Sequence, residues 1–181
     1  EKLARDAAKG ITRPPRLMVV GIPNTGKSTV INALSGAKRA VTGDKAGVTR
    51  GKQWIRCVGF ELLDTPGTMP PAFEDQALAR HLAYIGSIND DILDMDDVAL
   101  ELLRELLASY PGLLAARYGE GDYSSPIAAY EHICRRRGFL LRGGEVDYER
   151  GAKAIVDDFR KGRLGRITLD ALPAEAGEAE S

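Results

Sequence analysis

The chain has 181 residues, of which 44% are hydrophobic and 28% are charged, and its formal net charge is −1. That apolar content supports a folded core, and no apolar run approaches the ~20 residues of a transmembrane helix, so wholesale disorder and a membrane-spanning segment are excluded. No signal-peptide pattern opens the chain and two cysteines are too few for a disulfide framework, which favours a cytoplasmic protein with reduced thiols and no membrane partner.

The first part of the chain has the pattern of a β-α-β-β segment. Its predicted elements are a strand at 17–20, a helix at 27–34, and strands at 53–58 and 60–63. Gly21 ends the first strand, Gly36 ends the helix, and Gly59 provides a tight turn between the last two strands. Residues 1–15 are basic and end in two prolines, which indicates a linker, and residues 37–51 have the glycines of a flexible loop.

After Pro71 the pattern becomes helical. Helical periodicity is found at about 74–88, 95–109, 125–137 and 147–161. Leu100, Leu103 and Leu107 should form the buried stripe of the second of these helices. Ser125 is a good N-cap because Pro126 follows it at the first helical position. The predicted fold class is therefore an α/β segment followed by an all-α domain.

Residues 21–28 fit the pattern G-x-x-x-x-G-K-[ST] of a phosphate-binding loop, or P-loop, directly after a strand and at the start of a helix. The glycines let backbone amides converge on phosphate oxygens. Lys27 supplies a positive charge to the β- and γ-phosphates, and the Ser28 hydroxyl ligates Mg²⁺. The expected phosphate-binding residues of this loop are Asn24, Thr25, Gly26, Lys27, Ser28 and Thr29.

Two further segments are expected to complete a nucleotide site. The tetrapeptide Asp-Thr-Pro-Gly at 64–67 closes the last predicted strand, where the acid of a P-loop enzyme holds Mg²⁺ through water. The amide of Gly67 would then face the γ-phosphate. Thr49 lies in the glycine-containing loop, where a threonine hydroxyl can reach both the metal and the γ-phosphate. We therefore expect Asp64 and Thr49 at the metal and Gly67 at the nucleotide.

These three motifs, in this order, resemble those of translational-type GTPases, and the wider pattern resembles the ribosome biogenesis GTPase A family. The matching segments are 21–32, 64–67, 73–75, 97–99, 110–111, 117–118, 143–162 and 165–169. The resemblance covers about residues 1–170. It implies a GTPase that converts GTP to GDP and phosphate during assembly of the large ribosomal subunit. Mg²⁺ is the implied cofactor, and the subunit and its rRNA are the implied partners, with no role for DNA.

Members of that family are circularly permuted, with the guanine-reading N-K-x-D motif ahead of the P-loop. None of the three asparagines, Asn24, Asn32 and Asn89, is followed by lysine. Because the chain also begins with Glu1 rather than methionine, we expect a fragment that lacks the upstream, guanine-binding part of the GTPase (G) domain. The expected organisation is a linker at 1–15, a partial G domain at 16–75, a helical ribosome-docking domain at 76–170 and a disordered acidic tail at 171–181.

Three positions bear on the metal sites and the reaction. The family's Pro-Gly-x-Thr is Ala-Gly-Val-Thr at 46–49, which keeps the threonine but loosens the turn. Thr68 follows Gly67, where other GTPases have a water-orienting glutamine, and threonine is too short to replace it, so no residue qualifies as catalytic. Asn24 matches the P-loop asparagine that helps hold K⁺ in potassium-stimulated GTPases, and plain backbone cradling is the alternative.

Basic residues are concentrated in two stretches. Residues 1–60 carry 12 Lys and Arg against 3 Asp and Glu, and residues 131–166 carry 10 against 6, including three arginines at 135–137. Such stretches suit the phosphates of structured RNA, and a solvated face is the alternative. His81 and His132 have no partner at metal-ligand spacing, so both are interpreted as solvated or packed histidines.

Two other functions remain open at this point. An adenine-specific ATPase or kinase would keep the P-loop, although nothing in the sequence reads adenine and the Asp-Thr-Pro-Gly segment argues against it. Alternatively, the helical part is an RNA- or ribosome-binding module and the P-loop is inert. Competition of GTP against ATP tests the first alternative, and co-sedimentation with large subunits, with and without nucleotide, tests the second.

The 181-residue chain should bind GTP weakly and without preference over ATP, because the P-loop contacts phosphates that both nucleotides share. Selectivity requires donors and acceptors against the base edge. Isothermal titration with GTP, GDP and ATP at matched Mg²⁺ measures this. Micromolar GTP binding with a clear preference over ATP would show that base recognition lies within these residues.

Overall fold

The computed structural model describes residues 14–36, 51–69 and 75–170. The chain divides into two compact units, the first ending at Leu93 and the second beginning at Asp94. In the described ranges no helix is both long enough and apolar enough to cross a membrane. The predicted tail at 171–181, and nearly all of the predicted linker and of the loop at 37–51, lie outside the described residues.

The first unit is built on a three-stranded sheet in the order β1-β3-β2. Strand β1 (Arg16–Val19) pairs in parallel with β3 (Phe60–Asp64), and β2 (Gln53–Cys57) pairs antiparallel with β3. Helix α1 (Lys27–Ser35) lies between β1 and β2 in the chain and packs on β2 and β3. The four predicted elements are confirmed, with each end within one residue of its expected position.

Helix α1 and the sheet share a hydrophobic core. Ile31 of α1 packs with Ile55 of β2 and Leu62 of β3, and all three side chains are almost completely buried. Gly36 ends α1 with φ at 66°, and Gly59 turns the β2–β3 hairpin with φ at 84°. Both glycines adopt the left-handed conformation that other residues avoid, so they determine where these elements end.

Helix α2 (Gln76–Tyr84) and a 3₁₀ turn at Asp90–Ile92 complete the first unit. The Asp75 carboxylate caps α2 by accepting hydrogen bonds from the amides of Ala77 and Leu78. The compact units divide after Leu93, later than the predicted boundary at 75/76. The reason is that the chain after α2 returns to the loop that follows β1, as described below.

The second unit contains four helices among its described residues. They are α3 (Met95–Ser109), α4 (Leu113–Tyr118), α5 (Pro126–Arg137) and α6 (Tyr148–Arg160). Helix α3 packs against the other three helices, and an isolated β-bridge joins Leu140 to Val146 between α5 and α6. The predicted cap of α5 is confirmed, because Ser125 Oγ accepts from the amide of Ala128 at 3.1 Å. The six-residue α4 was not predicted, since it is too short for a periodic signal.

The buried stripe of α3 differs from the predicted one. Its buried residues are Ala99, Leu102, Leu103 and Leu106. The prediction was therefore right for Leu103 and wrong for Leu100 and Leu107, which are partly exposed. Leucine occupies so many positions of this helix that several overlapping stripes fit the sequence, and contact with α4, α5 and α6 decides among them.

Candidate nucleotide-binding site

The parallel pairing of β1 and β3 places two predicted motifs at one edge of the sheet. Val19 and Asp64 are register partners at the carboxyl ends of the two strands. The chain after β1 forms the P-loop, and the chain after β3 forms the Asp-Thr-Pro-Gly segment. Two hydrogen bonds join them: Thr65 Oγ1 donates to the Val19 carbonyl at 2.7 Å, and the Thr68 amide donates to the Gly21 carbonyl at 3.3 Å.

The P-loop has the backbone of an anion cradle. Asn24 (φ 59°) and Gly26 (φ 85°) both adopt the left-handed conformation, which turns successive amides to one side of the loop. Thr25 Oγ1 donates to the Ile22 carbonyl at 2.9 Å and closes the turn. Helix α1 begins at Lys27, and its N-cap residue, Gly26, has no side chain to cap it, so amides at its start point out of the helix toward the loop.

Lys27 and Asp64 are the charged groups that lie close together at this edge. The Lys27 ammonium donates to the Ile22 carbonyl at 2.6 Å, which holds its long side chain along the loop. Asp64 is only 2% exposed, and its Oδ1 is buried without a hydrogen-bond partner within the described part of the chain. Burial raises the pKa of Asp64, although the Lys27 charge and the Thr65 amide act in the opposite direction.

The unsatisfied Asp64 oxygen is an observation that fits a divalent cation. A buried carboxylate oxygen without a donor is costly, and a hydrated Mg²⁺ would satisfy it. Among the described residues no group of three His, Cys, Asp or Glu could hold a metal. That is the pattern of a P-loop site, in which one acid, the Ser28 hydroxyl, phosphate oxygens and water share the ion. Ser28 is partly buried in the first turn of α1.

Gly67 lies directly against the P-loop. A Cβ built at Gly67 would meet the Pro23 nitrogen at 2.5 Å and the Pro23 Cα at 2.6 Å. Both are backbone atoms that cannot move aside without displacing the loop. The backbone of Gly67 therefore approaches the phosphate cradle as closely as it does only because it carries no side chain.

The segment after α2 supports the P-loop from another side, which the sequence did not predict. Ser87, 1% exposed, donates from Oγ to the Pro23 carbonyl at 2.6 Å. Asn24 Nδ2 donates to the Ile85 carbonyl at 3.2 Å. No motif marks either contact, since both join positions far apart in the chain. The second contact fixes the orientation of the Asn24 amide, and the role of its oxygen toward K⁺ stays a prediction.

The remaining predicted residues have different outcomes. Thr49 lies outside the described residues, so its role stays a prediction, and so does the rest of the 46–49 segment. Thr29 is exposed in the first turn of α1, one residue after Ser28. Thr68 is exposed and contributes its amide to the loop contact described above. His81 packs near Tyr84, and His132 stacks edge-on against Tyr123, so of the two expected states, solvated or packed, both histidines have ring contacts.

The family comparison covers both motifs of this edge. Residues 16–114 match the family described as 50S ribosome-binding GTPase. The chain belongs to this family. The match begins at β1 and ends within α4, so it includes the whole described part of the sheet, the P-loop and α2.

Similar proteins carry the same description in more specific form. A ribosome biogenesis GTPase A from Priestia megaterium is 46% identical over 97% of this chain and 62% of its own length. One from Thermotoga maritima is 33% identical over 87% of this chain and 57% of its own length. A GDP-bound YlqF structure covers 92% of this chain and 65% of that structure, with 27% identity and a TM-score of 0.58. The chain thus spans about three fifths of the length of these curated relatives.

Gly67→Ala should displace the P-loop, because its Cβ overlaps the Pro23 backbone. We expect the unfolding free energy to fall by about 1–3 kcal/mol. GTP affinity should fall about ten- to hundredfold, which is the effect of displacing a binding group by about 1 Å. Urea unfolding and titration calorimetry on the complete gene product measure the two effects.

The matched control is Gly51→Ala, since nothing lies within 4 Å of a Cβ at Gly51. It should leave both quantities nearly unchanged. Equal effects of the two substitutions would contradict the close approach of Gly67 to the loop.

Asp64→Asn should separate stability from metal binding. The pKa of Asp64 is raised in the folded state, so ionisation of its carboxyl lowers the stability of the fold. The unfolding free energy should therefore fall as the pH rises from the ordinary pKa of 3.8 to above the raised pKa. The metal-free variant should therefore match or exceed the parent in unfolding free energy at pH 7, and lose any advantage below pH 4. Its Mg²⁺-dependent GTP affinity should fall.

Urea unfolding at several pH values, with EDTA present, measures the stability difference. The exposed Asp91→Asn in the same unit is the control and should change unfolding free energy by less than about 0.5 kcal/mol. Strong destabilisation of metal-free Asp64→Asn at pH 7 would contradict an unpaired, costly carboxylate.

Proposed function

We propose that this chain provides the phosphate- and Mg²⁺-binding half of a GTPase that acts in the cytoplasm on the assembling large ribosomal subunit. One observation carries the nucleotide part of the proposal. The parallel β1–β3 pair brings the P-loop and the Asp64–Gly67 segment to the same edge, where buried Asp64 has one oxygen without a hydrogen-bond partner among the described residues. Family membership and the names of the relatives support guanine nucleotide and the ribosomal partner.

Each residue of the site has a defined task in this proposal. Amides at 24–29 bind phosphate oxygens, and Lys27 balances the charge of the β- and γ-phosphates. Ser28 and Thr49 would ligate Mg²⁺ directly, and Asp64 would hold it through water. The Mg²⁺ ion would neutralise phosphate charge as the terminal bond breaks. Gly67 would offer its amide to the γ-phosphate.

The residues that follow Gly67 explain why a partner would be needed for fast turnover. Thr68 has a short, exposed side chain, and its amide is bonded to the Gly21 carbonyl. It cannot orient an attacking water as a glutamine does. We infer that hydrolysis is slow in isolation and is completed by a group that the ribosomal subunit supplies.

The second unit and the guanine specificity belong to the same proposal. The helical residues from Asp94 onward would form an all-α domain that docks on the subunit, using the basic residues at 131–166 on rRNA. Guanine would be read by an N-K-x-D motif placed ahead of the P-loop in a circularly permuted G domain. Asn24 would contribute a ligand to K⁺ beside the phosphates.

Lys27→Ala should remove the charge that meets the β- and γ-phosphates in the complete gene product. The expected loss is about 2–4 kcal/mol of nucleotide binding or transition-state stabilisation, as for other charged contacts to phosphate-like oxygens. GTP affinity by calorimetry and phosphate release by a coupled assay measure it. Lys52→Ala is the matched control, because Lys52 is exposed and its substitution removes the same charge from the same unit.

Unchanged GTP affinity and hydrolysis in Lys27→Ala would overturn the phosphate-loop assignment. An equal loss in Lys52→Ala would show that net charge, rather than the position of Lys27, determines binding.

A further inference from the structure

Three arginines converge on one buried carboxylate in the second unit. Asp158 on α6 is 1% exposed, and its Oδ2 accepts hydrogen bonds from Arg117 Nε at 3.0 Å and from Arg137 Nη2 at 2.6 Å. The Tyr118 hydroxyl donates to the same oxygen at 3.1 Å. Oδ1 accepts from Arg163 Nε at 2.6 Å. We call Arg117, Arg137 and Arg163 the arginine cluster.

The cluster carries more positive charge than its acceptor can balance. A carboxylate has about two lone-pair sites on each oxygen. Three of these donors meet Oδ2 and one meets Oδ1. Asp157 adds one further negative charge, but it also pairs with Lys161. Three guanidinium groups and one ammonium group thus face two carboxylates, which leaves about two positive charges around the buried Asp158 carboxylate. This residual charge attracts an anion more strongly than the same charge spread over solvated side chains.

The guanidinium groups of the cluster remain accessible. The side chains of Arg117, Arg137 and Arg163 are 33%, 32% and 39% exposed, although the carboxylate that they hold is not. Each guanidinium has five N–H donors. In the described part of the chain, Arg117 and Arg137 each use one N–H donor in a hydrogen bond to Asp158. Donors are therefore left over at a position that solvent reaches.

The arginines are also held in place. They come from α4, α5 and the turn after α6, so one acid joins three segments of the unit. Arg117 and Arg137 stack on the Tyr118 ring at 5.9 and 5.4 Å from its centroid. The Arg163 amide also donates to the Asp158 carbonyl at 2.8 Å. Because these side chains are already ordered, less conformational entropy is lost when a ligand binds them.

We propose that the arginine cluster is a preformed binding site for backbone phosphates of structured RNA, with Asp158 as its positioning residue. This inference rests on the proposed function, which places the second unit on rRNA. Planar guanidinium groups match phosphate oxygens in a two-pronged geometry. Arg137 and Arg163 also lie within the basic stretch at 131–166, which can continue the contact along an extended polyanion.

The test is RNA binding by the 181-residue chain without nucleotide, so it does not depend on GTPase activity. The probe is an RNA duplex of about 20 base pairs, enough for the ~16-base-pair span of double-stranded RNA binding domains, titrated at several salt concentrations. Arg137→Gln and Arg163→Gln should each weaken binding at least fivefold and reduce the slope of log affinity against log salt by about 1.

The matched control is Arg104→Gln, in the same unit but outside the basic stretch at 131–166, and with the same change of charge. Arg104 is more exposed than the cluster arginines, at 61%, and pairs with Glu101 at 3.2 Å. It should weaken RNA binding less than twofold and leave the salt slope unchanged. Equal losses in the control and cluster variants would overturn the inference in favour of diffuse attraction.

Thermal unfolding separates loss of the site from loss of the fold. Arg137→Lys keeps a cation beside Asp158 but removes the guanidinium fork, so it should stay folded and still bind RNA more weakly. A folded Arg137→Lys with unchanged RNA affinity and salt slope would show a purely structural role and overturn the inference. No RNA binding by the parent chain, or tighter binding of poly-glutamate than of RNA, would also overturn it.

Failure of the RNA titration leaves the nucleotide proposal intact, because that proposal is judged by the Lys27→Ala measurement on GTP. Loss of GTP binding by the complete gene product would in turn leave the salt slopes of the arginine variants interpretable.

Discussion

The site of the first unit depends on one backbone constraint, the parallel pairing of β1 with β3. Parallel strands end at the same edge of a sheet, so the two chain segments that follow them must share that edge. The register that sets Val19 opposite Asp64 brings the P-loop and the Asp-Thr-Pro-Gly segment within hydrogen-bond reach of each other. A one-residue change of register would turn Asp64 to the other face of the sheet, because side chains alternate along a strand.

Each unit contains a buried aspartate, and the pKa values of the two are shifted in opposite directions. Burial acts to raise the pKa of Asp158, but hydrogen bonds from Arg117 and Arg163 and the charge of Arg137 outweigh it and hold this pKa below its ordinary value. Asp64 has no comparable set of donors, so burial prevails and its pKa is raised. Asp158 is therefore satisfied by the protein itself, whereas Asp64 retains an oxygen that a cation can satisfy.

The difference in hydrogen bonding between Asp158 and Asp64 corresponds to a difference between a structural and a ligand-binding carboxylate. A fully bonded carboxylate fixes the arrangement of its neighbours, and its partners then present their unused donors outward. A carboxylate with an unsatisfied oxygen reduces stability in the absence of its ligand and increases affinity for that ligand. Two other residues act on the same loop: Gly67 lets the backbone approach the P-loop, and Ser87 bonds the Pro23 carbonyl.

The sequence by itself determined the elements of the first unit, the P-loop and the Asp-Thr-Pro-Gly segment, because glycine turns and short apolar runs are local signals. It also determined the Ser125 cap, which depends on residues within one helical turn. Only the tertiary structure decided which leucines of α3 are buried, that Ser87 supports Pro23, and that Arg117, Arg137 and Arg163 meet at Asp158. The contacts of Ser87 with Pro23 and of Arg117 and Arg137 with Asp158 join positions 21 to 64 residues apart, and no local pattern records them. Packing of one element on another selects them, because only a folded chain brings the partners together.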